Sequence, residues 1–279
     1  MKQKKKKVKV SSVIIYIILS ILVVLYVAPL IWVLSVSFKT NAEIYASPFG
    51  WPKAIQWANY KEAWMAARLG MATLNSIVVA GVTLIVSLII GAMASFALGR
   101  MRFKFSGTLM IYFLLGMMIP VHCVLIPLFT KFSAAHLTNS LIGLIIPYVT
   151  FALPMTIFIL TGFFKGMPAD LFESACIDGC SIYSCFIKIA LPLSKTGLFV
   201  TGLMSFVNNW NELLLAMVFI SDKNKKTLPV ALTSFVGPYA TNYTEMFAAI
   251  IIAVVPSILV YCMFSNQIVE GLTQGAVKG

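Results

Sequence analysis

Six apolar runs of about 20 residues or more divide this chain, and a run of that length is what a helix needs to cross roughly 30 Å of hydrocarbon. They fall at 12–38, 71–98, 106–132, 140–164, 197–220 and 245–267. Inside a bilayer the backbone must satisfy its own N–H and C=O groups, so such runs fold as helices. Composition agrees: 60% of the 279 residues are hydrophobic and 11% charged, more apolar surface than a water-soluble domain of this size can bury. The expected fold class is therefore an all-α membrane protein with six transmembrane helices. The third and fourth runs carry Pro120, Pro127, Pro147 and Pro154, which in a bundle are expected to kink the helices rather than break them.

Orientation follows from the basic residues. With the N-terminus inside, most of the 21 lysines and arginines fall on inner segments: the Lys2 to Lys9 run, Arg100, Arg102, Lys104, Lys165, Lys188, Lys195 and Lys278. Both termini are then cytoplasmic. Lys39, Lys53, Lys61, Arg68, Lys131, Lys223, Lys225 and Lys226 lie outside. The net charge of +12 is a topology signal rather than a nucleic-acid footprint, because no aromatic residue interrupts the N-terminal basic run. That run does not open a cleaved signal peptide: the apolar stretch after it reaches Phe38, too long for a signal core, and no small-x-small cleavage site follows.

The outer segment 39–70 contains Trp51, Trp57 and Trp64, read as interface anchors. The five cysteines (Cys123, Cys176, Cys180, Cys185, Cys262) form no metal-ligand set, since Gly179 interrupts the Cys176–Cys180 spacing and His122 and His136 lie elsewhere. They read as small reduced thiols.

Two polar features remain. One is the interruption PADLFESACIDGCSIYSCFIKIALP at 168–192. Pro168 suits a first helical turn, Asp170 complements the helix dipole, and Gly179 supplies a left-handed stop. Ser181 can then cap a second short helix that runs to Pro192. The spacing predicts a helix-turn-helix, apolar on one side, suited to docking a partner. The other is Asn208, Asn209, Trp210, Asn211 and Glu212 in the fifth run. Such groups are costly in hydrocarbon unless they face a polar interior. A continuous helix places Asn208, Asn211 and Glu212 on one face, either lining a polar path or bonding between helices. Asn75 in the second run is a weaker case of the same kind. There is no nucleophile with a base, no paired histidine and no phosphate-binding Gly-x-x-x-x-Gly-Lys loop, so this chain does not hydrolyse a nucleotide by itself.

Glu173, Ser174, Ala175, three residues, Gly179, and then Ile189 with Leu191 and Pro192 resemble the EAA loop of permease subunits of binding-protein-dependent ABC importers. That loop reads Glu-Ala-Ala, three residues, Gly, nine residues, Ile-x-Leu-Pro. The resemblance extends to the carbohydrate-uptake branch, to subunits similar to the maltose permease G protein. Matching segments are SFKTNAEIYASP at 37–48, Asn59 with Tyr60, SFALGRMRF at 95–103, IPLF at 126–129, Trp210 to Glu212, TLPVAL at 227–232 and the closing EGLTQGAVKG.

The resemblance implies the type I transmembrane fold of ABC importers and a sugar, from mono- to oligosaccharide, as cargo. It implies a second homologous permease subunit, two copies of a cytoplasmic ABC ATPase and an extracytoplasmic sugar-binding protein as partners, within the bacterial cytoplasmic membrane. No cofactor is expected in this chain; ATP and Mg are bound by the partner subunits. Glu173, Ser174, Ala175, Asp178, Gly179, Ile189, Leu191 and Pro192 would couple the spans to the ATPase. At Ser174 the family pattern has Ala, and serine is small enough for docking to survive. The implied organisation is a basic N-terminus (1–11), a first span (12–38), an outer loop (39–70), a five-helix core with the coupling loop at 165–195 (71–267) and a cytoplasmic tail (268–279). Two competing readings are a secondary transporter using Glu212 as its intramembrane carboxylate, and a lipid-modifying enzyme built on Asp178, Glu173 and Asp170.

Overall fold

The computed structural model describes residues 10–237 and 242–276, with side chains for 12–237 and 242–264. The basic run Lys2 to Lys9 and the last three residues of the EGLTQGAVKG segment lie outside the described residues. The elements are helical throughout. In chain order they are α1 (Val10–Ser37), α2 (Asn41–Ala46), α3 (Ala58–Ala66), α4 (Leu69–Arg100), α5 (Ser106–Met117), α6 (Val121–Ala134) and α7 (Leu141–Lys165). There follow α8 (Asp170–Ile177), α9 (Ile182–Cys185), a π-helical turn (Phe186–Ala190), α10 (Leu191–Leu193), α11 (Lys195–Trp210), α12 (Leu214–Phe219), α13 (Leu228–Leu232) and α14 (Tyr243–Ala276). Among the described residues, four helices are long and apolar enough to span a membrane unbroken: α1, α4, α7 and α14. Counting each of two bent helix pairs as one span brings the number to six.

The third apolar run is not one kinked helix. It divides into α5 and α6, which meet at 92°. Pro120 has extended backbone at the start of α6, and α5 and α6 bury no residue that could hold the helix straight through the break. Pro147 and Pro154, by contrast, stay inside α7, whose flank is packed along α4. The fifth run is also interrupted, ending at Trp210 and restarting at Leu214.

Two compact units make up the chain, Met1–Ala67 with Ser234–Ile252, and Arg68–Thr233 with Ala253–Gly279. In the first, α1 is apolar and exposed on nearly all sides up to Ile31, the kind of surface that lipid covers. Its C-terminal end is held by a polar cap. Lys39, expected as an outer-loop charge, is only 1% exposed, and its Nζ donates to the Ser47 and Pro48 carbonyls at 3.0 and 3.2 Å. Asn59 Nδ2 donates to the Ser37 and Lys39 carbonyls at 2.9 and 2.8 Å. Thr40 and Glu43 form a reciprocal capping box at the start of α2.

In the second unit, α4 and α7 form the central pair. Small residues allow their close approach: a Cβ on Gly91 would run into Thr156 Cγ2, and Ser95 Oγ donates to the Ile157 carbonyl at 3.1 Å. Val79, Leu144, Tyr148, Leu215 and Phe219 form one buried cluster, and Ala92, Phe96, Leu160, Phe164 and Ala190 another.

Candidate functional sites

The 168–192 interruption folds as a helix, a turn and a second helical piece. Pro168 precedes the first helical turn by two residues; the Ala169 carbonyl accepts from Phe172 and Glu173 N–H, while Asp170 and Glu173 sit in the first turn of α8. Gly179 takes φ +77°, and an added Cβ would meet nothing within 4 Å, so backbone conformation alone calls for glycine. Ser181 caps α9 by accepting from Ser184 N–H. The second piece does not stop at Pro192. A π-helical turn over Phe186–Ala190 loosens the backbone ahead of the proline, which has no N–H to give, and the helix passes through it. The stop comes at Ser194, where α11 turns away at 76°.

The expected coupling residues separate into two groups. Glu173, Ser174, Asp178, Gly179 and Pro192 are exposed, while Ala175 is buried and Ile189 and Leu191 are half-buried. The Ser174 side chain is exposed, so the departure from Ala leaves the loop's own packing untouched. Beside the exposed group, Ile177 is 86% and Tyr183 74% exposed, an apolar tip uncovered among the described residues. The other side of the loop is anchored. Phe96 packs against Phe164, Phe172 and Phe186, and Leu191 joins the same cluster. The Arg100 guanidinium lies 4.5 Å from the Phe172 ring and donates to the Met167 carbonyl. The end of α4 is thus tied directly to the loop.

The second site is a cavity of about 300 Å³ between the α5–α6 elbow, α7 and α11. Thr201, Ser205, Asn208, Asn209 and Glu212 line one wall, three or four residues apart. Glu212 lies in the break, where Leu215 N–H donates to its Oε1 at 2.8 Å, Ala216 N–H donates to its Oε2 at 3.1 Å, and Tyr148 Oη donates to Oε2 from α7. Asn209 Nδ2 donates to Ser205 Oγ at 3.2 Å. Among the described residues the buried Thr201 hydroxyl has no hydrogen-bond partner.

Asn208, Asn211 and Glu212 do not share one helical face, because the helix ends before Asn211. Asn211 terminates α11, and its side chain donates back to the Val207 carbonyl at 2.9 Å, away from the cavity lining. Asn209 takes the lining position instead. Asn75 is also elsewhere: it donates to the Asn224 and Lys226 carbonyls at 2.8 and 3.0 Å and so fastens the loop before α13. Thr201 and Ser205 were missed in the sequence because single hydroxyls are unremarkable in a span; their four-residue spacing to Asn209 is the available signal. Among the described residues, no group of three or more His, Cys, Asp or Glu could hold a metal ion.

Residues 87–270 match the family model described as "Binding-protein-dependent transport system inner membrane component". The chain is 36% identical over 259 residues to the diacetylchitobiose uptake system permease protein NgcG of Streptomyces coelicolor, covering 91% of this chain and 85% of that one. It is 35% identical to the sulfoquinovosyl glycerol transport system permease protein SmoH of Agrobacterium fabrum (95% and 93% covered). It is 34% identical to the trehalose transport system permease protein SugB of Mycobacterium tuberculosis (94% and 96%). Its fold is similar to a chain of a bacterial ABC transporter involved in import of the acidic polysaccharide alginate, with TM-score 0.79, 20% identity, and 95% and 99% of the two chains covered.

Proposed function

The chain belongs to the inner membrane components of binding-protein-dependent transport systems, and from that premise we propose that it carries a sugar inward, driven by a separate ATPase docked on the 168–192 loop. It is a multi-pass permease subunit of an ABC importer, with the type I transmembrane fold, and not itself the ATPase. A secondary transporter built on Glu212 has no support, because that carboxylate is occupied as a helix cap.

Sugar as cargo is supported by relatives whose names specify diacetylchitobiose, sulfoquinovosyl glycerol and trehalose. The loop lies in the cytoplasm with both termini, and its uncovered tip of Ile177 and Tyr183 enters a cleft of the ATPase. ATP and Mg belong to that partner. A second permease subunit completes the path, and an extracytoplasmic binding protein delivers the sugar. The observation that carries the coupling role is the two-sidedness of the loop: an exposed tip beside Gly179, and an aromatic anchor through Phe172 and Phe186 onto Phe96 of α4. Rigid tethering of this kind passes ATPase closure to the spans. Asn208 and Glu212 face the path. Asn211 and Asn75 shape it from outside the cavity, by ending α11 and by fastening the loop before α13.

The test is ATP-driven sugar uptake into vesicles holding the full transporter. Uptake that persists without ATP or the ATPase would overturn the proposal.

A further inference from the structure

We propose that Cys176 and Cys185 are a redox-sensitive pair, joined by a peroxide into a reversible disulfide that brackets the tip of the 168–192 loop. The functional consequence rests on that loop's proposed role in coupling. Three cysteines fall within this interruption, and all three are free thiols. Cys176 lies in the last turn of α8, Cys185 ends α9, and the left-handed Gly179 folds one helix back beside the other. The turn is fastened by Gly179 N–H donating to the Cys176 carbonyl at 3.1 Å and Cys180 N–H donating to the Ala175 carbonyl at 2.9 Å. Across it, the Cys185 thiol hydrogen-bonds with that of Cys176. The fold thus brings two sulfurs from separate helices into contact.

The two thiols differ in access. Cys176 is exposed, whereas Cys185 is only 2% exposed. Burial, with Cys176 and Cys180 beside it, pushes the Cys185 thiol above its ordinary range. Cys176 therefore meets the oxidant first. Its sulfur attacks one oxygen of hydrogen peroxide, the O–O bond breaks, and the thiol proton leaves with the other oxygen as water. The Cys185 sulfur then attacks the sulfenic acid so formed, the S–O bond breaks, and a second water departs with the second thiol proton. Two electrons have passed from the sulfurs to the peroxide. A dithiol reverses the bond by exchange.

Ile177, Gly179 and Tyr183 all lie between the two cysteines, so the closed ring encloses the exposed tip. An S–S bond of about 2 Å is shorter than any hydrogen-bonded contact between two sulfurs. Closing it draws the end of α8 onto α9 and changes the tip offered to the ATPase. Oxidation therefore lowers coupled uptake, in keeping with the transient, redox-sensing use of disulfides in a reducing cytosol.

The test treats the full transporter in proteoliposomes with hydrogen peroxide, then with dithiothreitol. Cleavage before Asp178 and after Tyr183 puts Cys176, Cys180 and Cys185 on separate peptides, so mass spectrometry reads the pairing directly. A linked Cys176–Cys185 peptide pair lighter by two hydrogens is expected, together with a loss of ATP-driven uptake that dithiothreitol restores. Cys176→Ser, an exposed position, should abolish both effects, and Cys180→Ser should retain both. Failure of this bond to form in the assembled transporter, or pairing through Cys180 instead, would overturn the assignment. A bond that forms while uptake stays unchanged, or an equal loss of uptake in Cys176→Ser, would overturn the switch and leave the transport reading intact. Absence of ATP-driven uptake before any oxidation would overturn the transport reading, while the peptide pairing still decides whether these two thiols join.

Discussion

Tyr148 donates its phenolic proton to the Glu212 carboxylate, joining the middle of α7 to the break between α11 and α12. The same carboxylate accepts from two backbone N–H groups of α12. One acidic side chain therefore starts a helix and ties it to its neighbour, which accounts for a charge at this depth without a proton-coupling role.

Tyr148→Phe should destabilise the transporter by about 1–3 kcal/mol, since it strips one donor from a carboxylate that remains in place. Glu212→Gln should cost a similar amount. The double variant should cost less than the sum, because each change removes the same bond. Thermal unfolding in detergent reads all three, and strict additivity would show that the bond is not energetically coupled.

Gly179→Val should leave insertion intact and uncouple ATP hydrolysis from uptake. The reason is conformational: a left-handed backbone costs a non-glycine residue about 1–2 kcal/mol, and more with a β-branched side chain. Gly179→Asn should recover part of the coupling, because asparagine tolerates this region. The ratio of sugar imported to ATP hydrolysed is the measurement, and a normal ratio in Gly179→Val would remove the turn from the coupling argument.

Arg100→Ala should lower the same ratio by freeing α8 from the end of α4, with loss of a cation–π contact of about 0.5–2 kcal/mol. Arg100→Lys should be intermediate, since an ammonium keeps the charge but cannot stack as a plane.

Gly143→Ala should abolish accumulation of the folded subunit. Its Cβ would overlap the Leu137 carbonyl oxygen, which is backbone and cannot rotate away. Overpacking of this kind costs about 1–3 kcal/mol or more. Gly81→Ala, where a Cβ meets nothing within 4 Å, is the control expected to express normally.

Acid should loosen α2. Backbone N–H groups of Thr40 and Lys53 hold the Glu43 carboxyl below its ordinary value of 4.5. Its contribution is therefore complete above that pH and lost as pH falls through the depressed value. Amide exchange across residues 40–53 should accelerate on acidification beyond the intrinsic pH trend, and Glu43→Gln should remove that dependence.

The legible part of the fold was local. Apolar length announced the spans, and glycine at 179 announced a left-handed turn between two capped helices, because these depend on the residues within one or two turns. The prolines were not equally legible. Pro120 and Pro154 carry the same missing N–H, yet α7 stays whole where α4 packs along it and the α5–α6 segment bends where neither helix has a fully buried residue. Pro192 is carried through by a widened turn that no residue type announces.

The polar cluster shows the same division. Sequence alone placed amides and a carboxylate in a membrane span, so a polar function there was unavoidable given the cost of burying them in lipid. Which of them face the cavity depended on where α11 ends, and that was decided by side chains reaching back to Val207 and across to Tyr148. Lys39 likewise reads as a solvated loop charge until carbonyls from 47 and 48 fold over it. Periodicity and turn chemistry are properties of neighbouring residues; burial, helix breaks and cavities are properties of segments brought together, and only the tertiary structure holds that information.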